Sequence, residues 1–267
     1  MPDRPTPLVS PQWPFDIRRM PFYYGWVIWL FSTAGIIFSI PGQTMGMAVF
    51  TDHFIEALGL SRTQLSLAYL VGTVGSALFL TRAGRLYDRL GGRVMVALAS
   101  ALLALMLVYI ALADTLAARF GGGALVSFAI ITFGYFGVRF LGQGVLTSAS
   151  RNVLLVWFET RRGLVSSARG TFVSFGFAIA PLVLAWMIAN GGWREALWEL
   201  ALCCLAFAAV ALLCLRDNPE SCGVLIDGHS HEDAPAQATP RPSATLAEAT
   251  RAPVFWLATL SPVSYTH

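Results

Sequence analysis

The chain contains 267 residues, of which 56% are hydrophobic and only 12% are charged, and its formal net charge is +3. A soluble domain carries about 25% charged residues, whereas the charges here are bunched between apolar stretches of about 20 residues, the length with which a helix crosses a bilayer. This composition excludes an ordinary soluble protein and predicts an all-α integral membrane protein.

Six transmembrane helices are predicted after residues 1–21, a polar N-terminal tail that lacks the apolar core of a signal peptide. They form a predicted bundle at 22–215 and cover 22–50, 64–83, 94–113, 123–148, 163–189 and 195–215. Pro41-Gly42 should loosen the backbone hydrogen bonds in the outer part of the first helix. The second helix begins at Ser61-Arg62-Thr63-Gln64, which predicts a capping box between the serine hydroxyl and the glutamine amide.

The arginines are distributed unevenly between the two ends of these predicted helices. With the N-terminus in the cytoplasm, 14 arginines lie on the cytoplasmic side, three lie outside (Arg62, Arg119 and Arg194), and Arg139 lies within a helix. Cytoplasmic loops carry the excess of basic residues in membrane proteins. We therefore predict a multi-pass protein of the cytoplasmic membrane, with both ends of the six-helix unit in the cytoplasm.

The composition changes after the sixth predicted helix. Residues 216–252 are rich in Pro, Ala, Thr, Ser and acids, which predicts a cytoplasmic linker that buries too little apolar surface to fold. Apolar residues return at 253–262, the predicted start of a seventh helix. Residues 263–267 match what the end of a common sequencing adapter encodes, so we expect read-through there and a natural protein that continues.

A charged stretch between the second and third predicted helices carries the most specific pattern in the chain. It reads Gly84-Arg85-Leu86-Tyr87-Asp88-Arg89-Leu90-Gly91-Gly92-Arg93. This resembles the signature loop of major facilitator superfamily transporters, with matches at Gly84, Asp88, Arg89, Gly91 and Arg93. The resemblance implies that the chain is the N-terminal half, truncated, of a fold with two six-helix bundles and twelve transmembrane helices.

The resemblance also implies a gating function for this stretch. Gly84 would permit close approach of helices, and Asp88 would accept hydrogen bonds from helix-end amides or pair with an arginine across the interface between the halves. Arg89 and Arg93 would pair with acids or lipid phosphates. The alternative is that the arginines only set the topology, which explains Arg85 but not Asp88, because an acid adds nothing to positive-inside insertion.

Other segments extend the resemblance. Arg139 followed by Gly142-Gln143-Gly144 is similar to the superfamily's fourth-helix pattern, and Gly176 with Ala180-Pro181 is a degenerate form of the pattern that breaks the fifth helix in antiporters. The branch of monocarboxylate porters and oxalate/formate antiporters is indicated by three further segments, Tyr23-Tyr24-Gly25-Trp26-Val27, Gly59-Leu60-Ser61-Arg62-Thr63, and Arg216-Asp217-Asn218-Pro219-Glu220 with Asp227-Gly228. The lysine that mammalian-type monocarboxylate porters carry in the first helix is absent at 41–45.

Arg139 is the basic residue that lies deepest in a predicted helix. A charge at mid-membrane costs about 2.5–3.5 kcal/mol on insertion scales, so it should face water or a partner. In an α-helix, Tyr135, Arg139 and Gln143 share one face, which would suit a carboxylate substrate. The alternative is that Arg139 bonds to a neighbouring helix and holds the bundle together.

Ser39, Gln43 and Thr44 form a second polar group in the first predicted helix. They would line the same cavity as Arg139 or make hydrogen bonds between helices, each contributing about 0.6 kcal/mol.

The sequence therefore predicts a secondary active transporter, in fragment form, that moves a small organic anion such as a mono- or dicarboxylate by alternating access. A proton or a counter-anion would be coupled to it, and the lipid bilayer and the missing C-terminal half would be its other partners. The alternatives are an efflux or sugar-type porter of the same fold, or a non-transporting receptor or scaffold. No enzyme, cofactor, metal site or nucleic-acid partner is expected, because no reactive-residue cluster, metal-ligand spacing or nucleotide motif occurs in the chain.

Overall fold

The computed structural model describes residue 10 and residues 12–228, and this part of the chain is helical, without strands. The α-helices are α1 (Gly25–Phe38), α2 (Thr44–Ala48), α3 (Thr51–Leu58), α4 (Arg62–Leu90), α5 (Gly92–Ala111), α6 (Ala113–Arg119), α7 (Ala124–Val138), α8 (Thr147–Trp157) and α9 (Arg162–Cys214). A π-helical segment, Arg139–Leu146, joins α7 to α8, and 3₁₀ turns cover Ile17–Arg19, Ile40–Gly42, Glu220–Cys222 and Ile226–Gly228.

Five segments within this part of the chain are long and apolar enough to cross a membrane. They are Gly25–Gly42, Arg62–Leu90, Gly92–Ala111, Ala124–Trp157 and Arg162–Cys214. The prediction of an all-α, multi-pass membrane protein is therefore confirmed. The predicted count of six transmembrane helices depends on whether the last segment, Arg162–Cys214, is divided into two.

The last segment, α9, contains one residue with non-helical dihedral angles, Gly192 (φ 85°, ψ 165°). A φ of this sign is uncommon for residues other than glycine. Gly192 divides α9 into arms at 162–191 and 193–214, each longer than the roughly 20 residues that span a bilayer. The bend lies between the predicted fifth and sixth helices.

The predicted helix break at Gly176 and Pro181 is wrong at the level of the backbone. Pro181 lies inside α9, and the dihedral angles on both sides of it stay helical until Gly192. Proline removes one backbone donor but is tolerated in membrane helices, where neighbouring groups satisfy the freed carbonyl. The positive φ of Gly192, rather than the missing proline N–H, ends the first arm.

The first membrane segment is interrupted where Pro41-Gly42 predicted it. Helix α1 ends at Phe38, a 3₁₀ turn covers Ile40–Gly42, and Gln43 is extended (φ −86°, ψ 157°) before α2 begins at Thr44. The predicted capping box at the start of α4 is also present. The amide N–H of Gln64 donates to Ser61 Oγ at 3.2 Å, and the amide N–H of Ser61 donates to Gln64 Oε1 at 2.8 Å.

The interrupted first segment packs against the π-helical segment with almost no space between the backbones. A Cβ atom placed on Gly42 would lie 2.4 Å from the carbonyl oxygen of Val138 and 2.7 Å from Cα of Gly142. A Cβ atom on Gly142 would lie 2.8 Å from Cα of Gly42. These two glycines therefore allow a direct backbone contact between the first and fourth membrane segments.

The first membrane segment and α5 are the most buried of the five, whereas α4 and α9 are more peripheral. The most apolar windows of Gly25–Gly42 and α5 are each 56% buried, against 17% for that of α4 and 33% for that of α9. Apolar side chains stand exposed on the two peripheral helices, such as Leu78 on α4 and Leu182 on α9. Exposed leucines of this kind suit a lipid environment, where apolar side chains need not be buried in protein.

The charged stretch at 84–93 is a helix end rather than a loop. Helix α4 continues to Leu90, the turn is confined to Gly91 (φ 80°, ψ 163°), and α5 starts at Gly92. Gly84, Asp88 and Arg89 lie on the exposed last turns of α4. Apart from its chain neighbours and the backbone of its own helix, no atom of the described residues lies within 4 Å of a Cβ placed on Gly84, so the close approach predicted there does not occur within this part of the chain.

Arg93 has a different environment from the one predicted, because its side chain is only 1% exposed. Its Nε donates to the carbonyl of Leu212 at 2.6 Å, and its Nη1 and Nη2 donate to the carbonyls of Ser10 (3.3 Å) and Trp13 (2.9 Å). The backbone N–H of Arg93 donates to Asp217 Oδ1 at 2.7 Å. Arg93 therefore joins three segments of the chain through backbone carbonyls, and Asp217 caps α5.

The predicted linker begins with a folded section. Arg216 is 1% exposed and Asp227 is buried, and Asp227 Oδ2 accepts hydrogen bonds from the backbone N–H groups of Glu159 (3.1 Å) and Thr160 (2.6 Å). Residues 216–228 are thus held by polar contacts with the bundle, which the composition of 216–252 as a whole did not predict. The remainder of that linker, the predicted seventh helix at 253–262 and the predicted read-through at 263–267 lie outside the described residues.

Substitutions of Asp217 should separate its hydrogen bonds from its charge. Asp217→Ala leaves the buried N–H of Arg93 unpaired, at a cost of about 1–3 kcal/mol, so its thermal unfolding temperature should fall. Asp217→Asn keeps an acceptor oxygen and should be at least as stable as the wild type at pH 7. The reason is that burial raises the pKa of Asp217, against the opposing effect of the hydrogen bond and charge of Arg93.

A carboxyl group whose pKa is raised by folding contributes stability at low pH, and this contribution is lost as the pH rises through the folded pKa. The wild type should therefore gain stability relative to Asp217→Asn as the pH falls from about 7 towards the ordinary pKa of 3.8. Thermal unfolding of both proteins across this range measures the difference. A wild type that loses stability relative to the variant on acidification would contradict the assignment.

The glycine contact between the first and fourth segments makes a second prediction. Gly42→Ala should destabilise the protein by about 1–3 kcal/mol, because its new methyl group meets backbone atoms that cannot move aside without separating the helices. Gly84→Ala is the matched control, since it has open space and lies inside α4, where alanine is favoured by about 1 kcal/mol. Thermal unfolding in detergent compares them, and equal unfolding temperatures would be inconsistent with the contact.

Candidate functional site

A buried cation lies where the fourth membrane segment changes from α- to π-helix. Arg139 is the first residue of the π-helical segment, and it is 9% exposed. Its Nη1 donates to the carbonyl of Gly42 at 3.2 Å and to Thr44 Oγ1 at 3.4 Å. Arg139 therefore reaches the interruption of the first membrane segment, whose missing helical hydrogen bonds leave carbonyls available.

Two tyrosines complete the surroundings of this cation. The guanidinium carbon of Arg139 lies 5.2 Å from the ring centre of Tyr69, within the range of a cation–π interaction. Tyr69 donates its hydroxyl to Thr44 Oγ1 at 2.9 Å and packs edge-to-face on Tyr135 with ring centres 5.2 Å apart. The structure thus brings together Arg139, Tyr135 and Thr44, and adds Tyr69.

Sequence reasoning missed Tyr69. The available signal was that it is the single tyrosine in the apolar stretch 64–83, where a hydroxyl needs a partner in lipid.

Arg139 has hydrogen-bonding capacity left over. Its Nε is buried and makes no hydrogen bond, and its side chain forms no ion pair with an acid within the described residues. A buried charge is strongly unfavourable unless it is paired and hydrogen-bonded. Two long hydrogen bonds and an aromatic face offset this only in part, so the site is suited to receive an anion.

Ser39 and Gln43 take part in a neighbouring network that joins the same two segments. Gln43 Nε2 donates to Ser39 Oγ (3.1 Å) and approaches Thr147 Oγ1 at 3.4 Å. Thr147 lies 3.0 Å from Ser39 Oγ and 3.1 Å from the carbonyl oxygen of Gly142. These contacts match the interhelical alternative that the sequence left open for Ser39 and Gln43, and Thr147 is a member that the sequence did not reveal.

Gln143 lies apart from the polar cluster. It is exposed and makes no side-chain hydrogen bond within the described residues. The prediction that it shares a face with Arg139 assumed α-helical spacing, but a π-helix bonds residue i to i+5, so residues four apart no longer align. The prediction that Gln143 belongs to this cluster is therefore wrong.

A cavity of about 180 Å³ opens beside the cluster between the first, second and fourth segments. Its lining combines hydroxyl groups with apolar side chains, namely Thr44, Met47, Ala48, Thr51, Leu65, Ser66, Tyr69 and Tyr135. Three of these residues, Thr44, Tyr69 and Tyr135, also belong to the surroundings of Arg139. A small molecule in this cavity would therefore lie next to the cation.

The predicted gating residues form a separate region at the other end of α4. Tyr69 and Asp88 lie 19 positions apart on α4, a separation of roughly 28 Å at 1.5 Å per residue. Asp88 is exposed and makes no hydrogen bond or ion pair within the described residues. Any link between this region and Arg139 must therefore act over a distance.

Residues of the types that bind metals do not cluster within the described part of the chain, since no group of three or more His, Cys, Asp or Glu occurs there.

Comparison with known proteins supports the same class as the fold. A family model of the Major Facilitator Superfamily matches residues 31–266. Searches of curated proteins and of solved structures found no match. The family match spans well over half of the chain and agrees with its bundle of apolar helices. The chain therefore belongs to the Major Facilitator Superfamily, a family of multi-pass membrane transporters rather than enzymes.

Proposed function

We propose that the chain is the N-terminal six-helix bundle of a twelve-helix secondary transporter of the cytoplasmic membrane. The division of α9 at Gly192 supports six crossings, because both arms are long enough to span a bilayer. The excess of arginines at one end supports a cytoplasmic N-terminus. A second bundle would close the substrate site from the opposite side, as in transporters built from repeated halves.

The proposed substrate is a small organic anion such as a mono- or dicarboxylate. The single observation that carries this proposal is the unused Nε of Arg139, in a side chain that is 9% exposed and has no acidic partner within the described residues. A carboxylate accepts two parallel hydrogen bonds from a guanidinium group. It would therefore compensate the buried charge better than the single carbonyl and hydroxyl that Arg139 now contacts.

Alternating access would connect this binding to movement. The halves of such transporters rock around a site near the middle of the membrane, with a proton or a counter-anion coupled to the substrate. An anion bound to Arg139 would compete with the carbonyl of Gly42 and the hydroxyl of Thr44 for the same donors. The interrupted part of the first segment would then be free to shift while the anion is bound.

An efflux or sugar-type porter of the same fold is the principal alternative. Sugars are recognised by neutral hydroxyl and amide groups and do not require a buried cation. Competition between carboxylates and sugars for uptake by the complete protein separates the two possibilities, and sugar transport that is insensitive to substitution of Arg139 would favour the alternative.

Arg139→Ala in the complete transporter should reduce carboxylate uptake by about 10- to 100-fold, because hydrogen bonds to a charged group contribute about 1.5–3 kcal/mol. Arg139→Lys should retain part of the uptake, since it keeps the charge but loses the planar fork of donors. Radiolabelled uptake into proteoliposomes measures both variants. Arg119→Ala is the control, because Arg119 is exposed at the opposite end from the arginine-rich side. Carboxylate uptake that survives Arg139→Ala unchanged would refute the proposal.

Asp88→Asn should reduce uptake by about tenfold, equivalent to the loss of one ion pair of about 1.4 kcal/mol. The carboxylate of Asp88 is exposed and unpaired within the described residues, so it is available to an arginine of the second bundle. Uptake and membrane insertion are measured together. Insertion should not change, and Asp52→Asn, which breaks an exposed ion pair with Arg62, is the control. Full uptake by Asp88→Asn would remove the gating assignment.

A further inference from the structure

An apolar cavity lies between the first membrane segment and the two arms of α9 that meet at Gly192. Its volume is about 390 Å³, within the range of small-molecule binding sites. It shares no lining residue with the cavity beside Arg139. Its walls are formed by residues within 176–187 of the first arm, 200–204 of the second arm and 37–41 of the first membrane segment.

This cavity is long and narrow. On the first arm its lining extends from Gly176 to Met187, a separation of roughly 16 Å at 1.5 Å per residue. A volume of about 390 Å³ spread over that length suits an extended chain better than a compact molecule. The helices are in contact at the end of the cavity farther from the bend, because a Cβ atom placed on Gly176 would lie 3.2 Å from Ile37 Cγ1.

The inner wall of the cavity favours an apolar occupant. Ile40 and Leu184 line it and are buried. Among the described residues of the lining, Cys203 and Cys204 alone have a polar hydrogen in their side chains, and Cys204 donates its thiol to the carbonyl of Phe38 at 3.8 Å. An ordered water needs about two to four polar partners, and a polar ligand without hydrogen bonds is costly to bury.

The outer edge of the cavity continues into an exposed apolar surface of α9. Ile179 and Val183 line the cavity and are about half exposed, and Cys203 on the second arm is also exposed. Leu182 and Leu202 lie outside the lining and are more exposed still. Lipid tails are as apolar as leucine, so the hydrocarbon of the bilayer would cover this surface and reach the cavity between the arms.

We propose that the cavity between the arms of α9 binds one hydrocarbon chain of a bilayer lipid. The bound chain would gain dispersion contacts along the length of the cavity. Ile40 and Pro41 line the cavity, and the next residue, Gly42, accepts the hydrogen bond from Arg139. The chain would therefore help to enclose the interruption of the first segment, since non-helical backbone at membrane depth must be covered by neighbouring groups. This inference does not depend on the proposed substrate.

The test uses this 267-residue chain in a steroid-based detergent, which contains no alkyl chain, with dioleoyl phosphatidylcholine as the probe. A ligand that binds the folded state raises the unfolding temperature saturably. Ala180→Phe places a large side chain in the cavity and should raise the half-saturating mole fraction of lipid by about tenfold or more, because the ring and the chain compete for the same space. Ala185→Phe is the control, since Ala185 is exposed on the same arm and does not line the cavity.

A second pair of variants tests the opposite wall. Cys203→Phe enters the cavity from the second arm and should weaken the lipid response to a similar extent, whereas Ala206→Phe, at an exposed position outside the lining, should not. Because Cys203 is exposed, this variant remains informative if Ala180→Phe does not fold. Dihexanoyl phosphatidylcholine, with the same headgroup and shorter chains, should stabilise the wild type less than the dioleoyl lipid does.

The outcomes separate the chain site from other sources of stabilisation. Equal half-saturating mole fractions for the wild type, Ala180→Phe and Cys203→Phe would overturn the inference, as would the absence of a lipid response. Equal potency of the two phosphatidylcholines would assign the response to the headgroup. Loss of the response in the complete transporter would identify the second bundle as the occupant and also overturn the inference. Arg139→Ala should leave the lipid response unchanged, so failure of this site and failure of the proposed substrate site are observed separately.

Discussion

The requirement that every backbone polar group be satisfied inside a membrane determines where this protein places its site. Non-helical backbone at membrane depth is tolerated where it is buried in protein or lines a cavity. Here the 3₁₀ turn Ile40–Gly42 and the π-helical segment Arg139–Leu146 are both irregular, and they contact each other through Gly42 and Gly142. Side chains from the same region bond to backbone carbonyls there. Arg139 donates to the carbonyl of Gly42, and Thr147 lies in hydrogen-bond range of that of Gly142. The irregular backbone and the polar cluster are therefore one feature.

This arrangement explains why a cation can be retained at that depth. In a regular first helix the carbonyl of Gly42 would bond within its own helix, and Arg139 would have no acceptor there. The interruption supplies an acceptor, but a weak one, at 3.2 Å and neutral. An anion is the stronger partner, because charge-assisted hydrogen bonds are roughly twice as strong as neutral ones. The protein thus satisfies part of the guanidinium group, and its Nε makes no hydrogen bond within the described residues.

The sequence predicted the parts of this site that depend on local chemistry. Pro41-Gly42 identified the interruption, Ser61 and Gln64 identified the cap of α4, and the isolation of Arg139 in an apolar stretch identified the cation. The parts that depend on three-dimensional packing were not predictable in the same way. The π-helical segment contains no proline, and the charge of Arg139 at its start does not distinguish it from an α-helix, so α-helical spacing placed Gln143 in the cluster and left Thr147 out. Tyr69 and Asp217 also lay hidden, because their partners, Thr44 and Arg93, are distant in the chain. Helical spacing relates residues within one element and says little about contacts between elements.

The arginines at one end of the bundle illustrate a further limit of pattern reasoning. The positive-inside rule accounts for the location of Arg93 and Arg169 equally, since it counts charges near helix ends. Their surroundings are nevertheless opposite. Each guanidinium nitrogen of Arg93 donates to a backbone carbonyl, which makes the side chain a fixed part of the junction between the N-terminal segment, α5 and the end of α9. Arg169 has a shielded nitrogen that makes no hydrogen bond within the described residues. Because an unpaired buried donor is costly, hydrogen bonding within the fold explains the position of Arg93 but not that of Arg169.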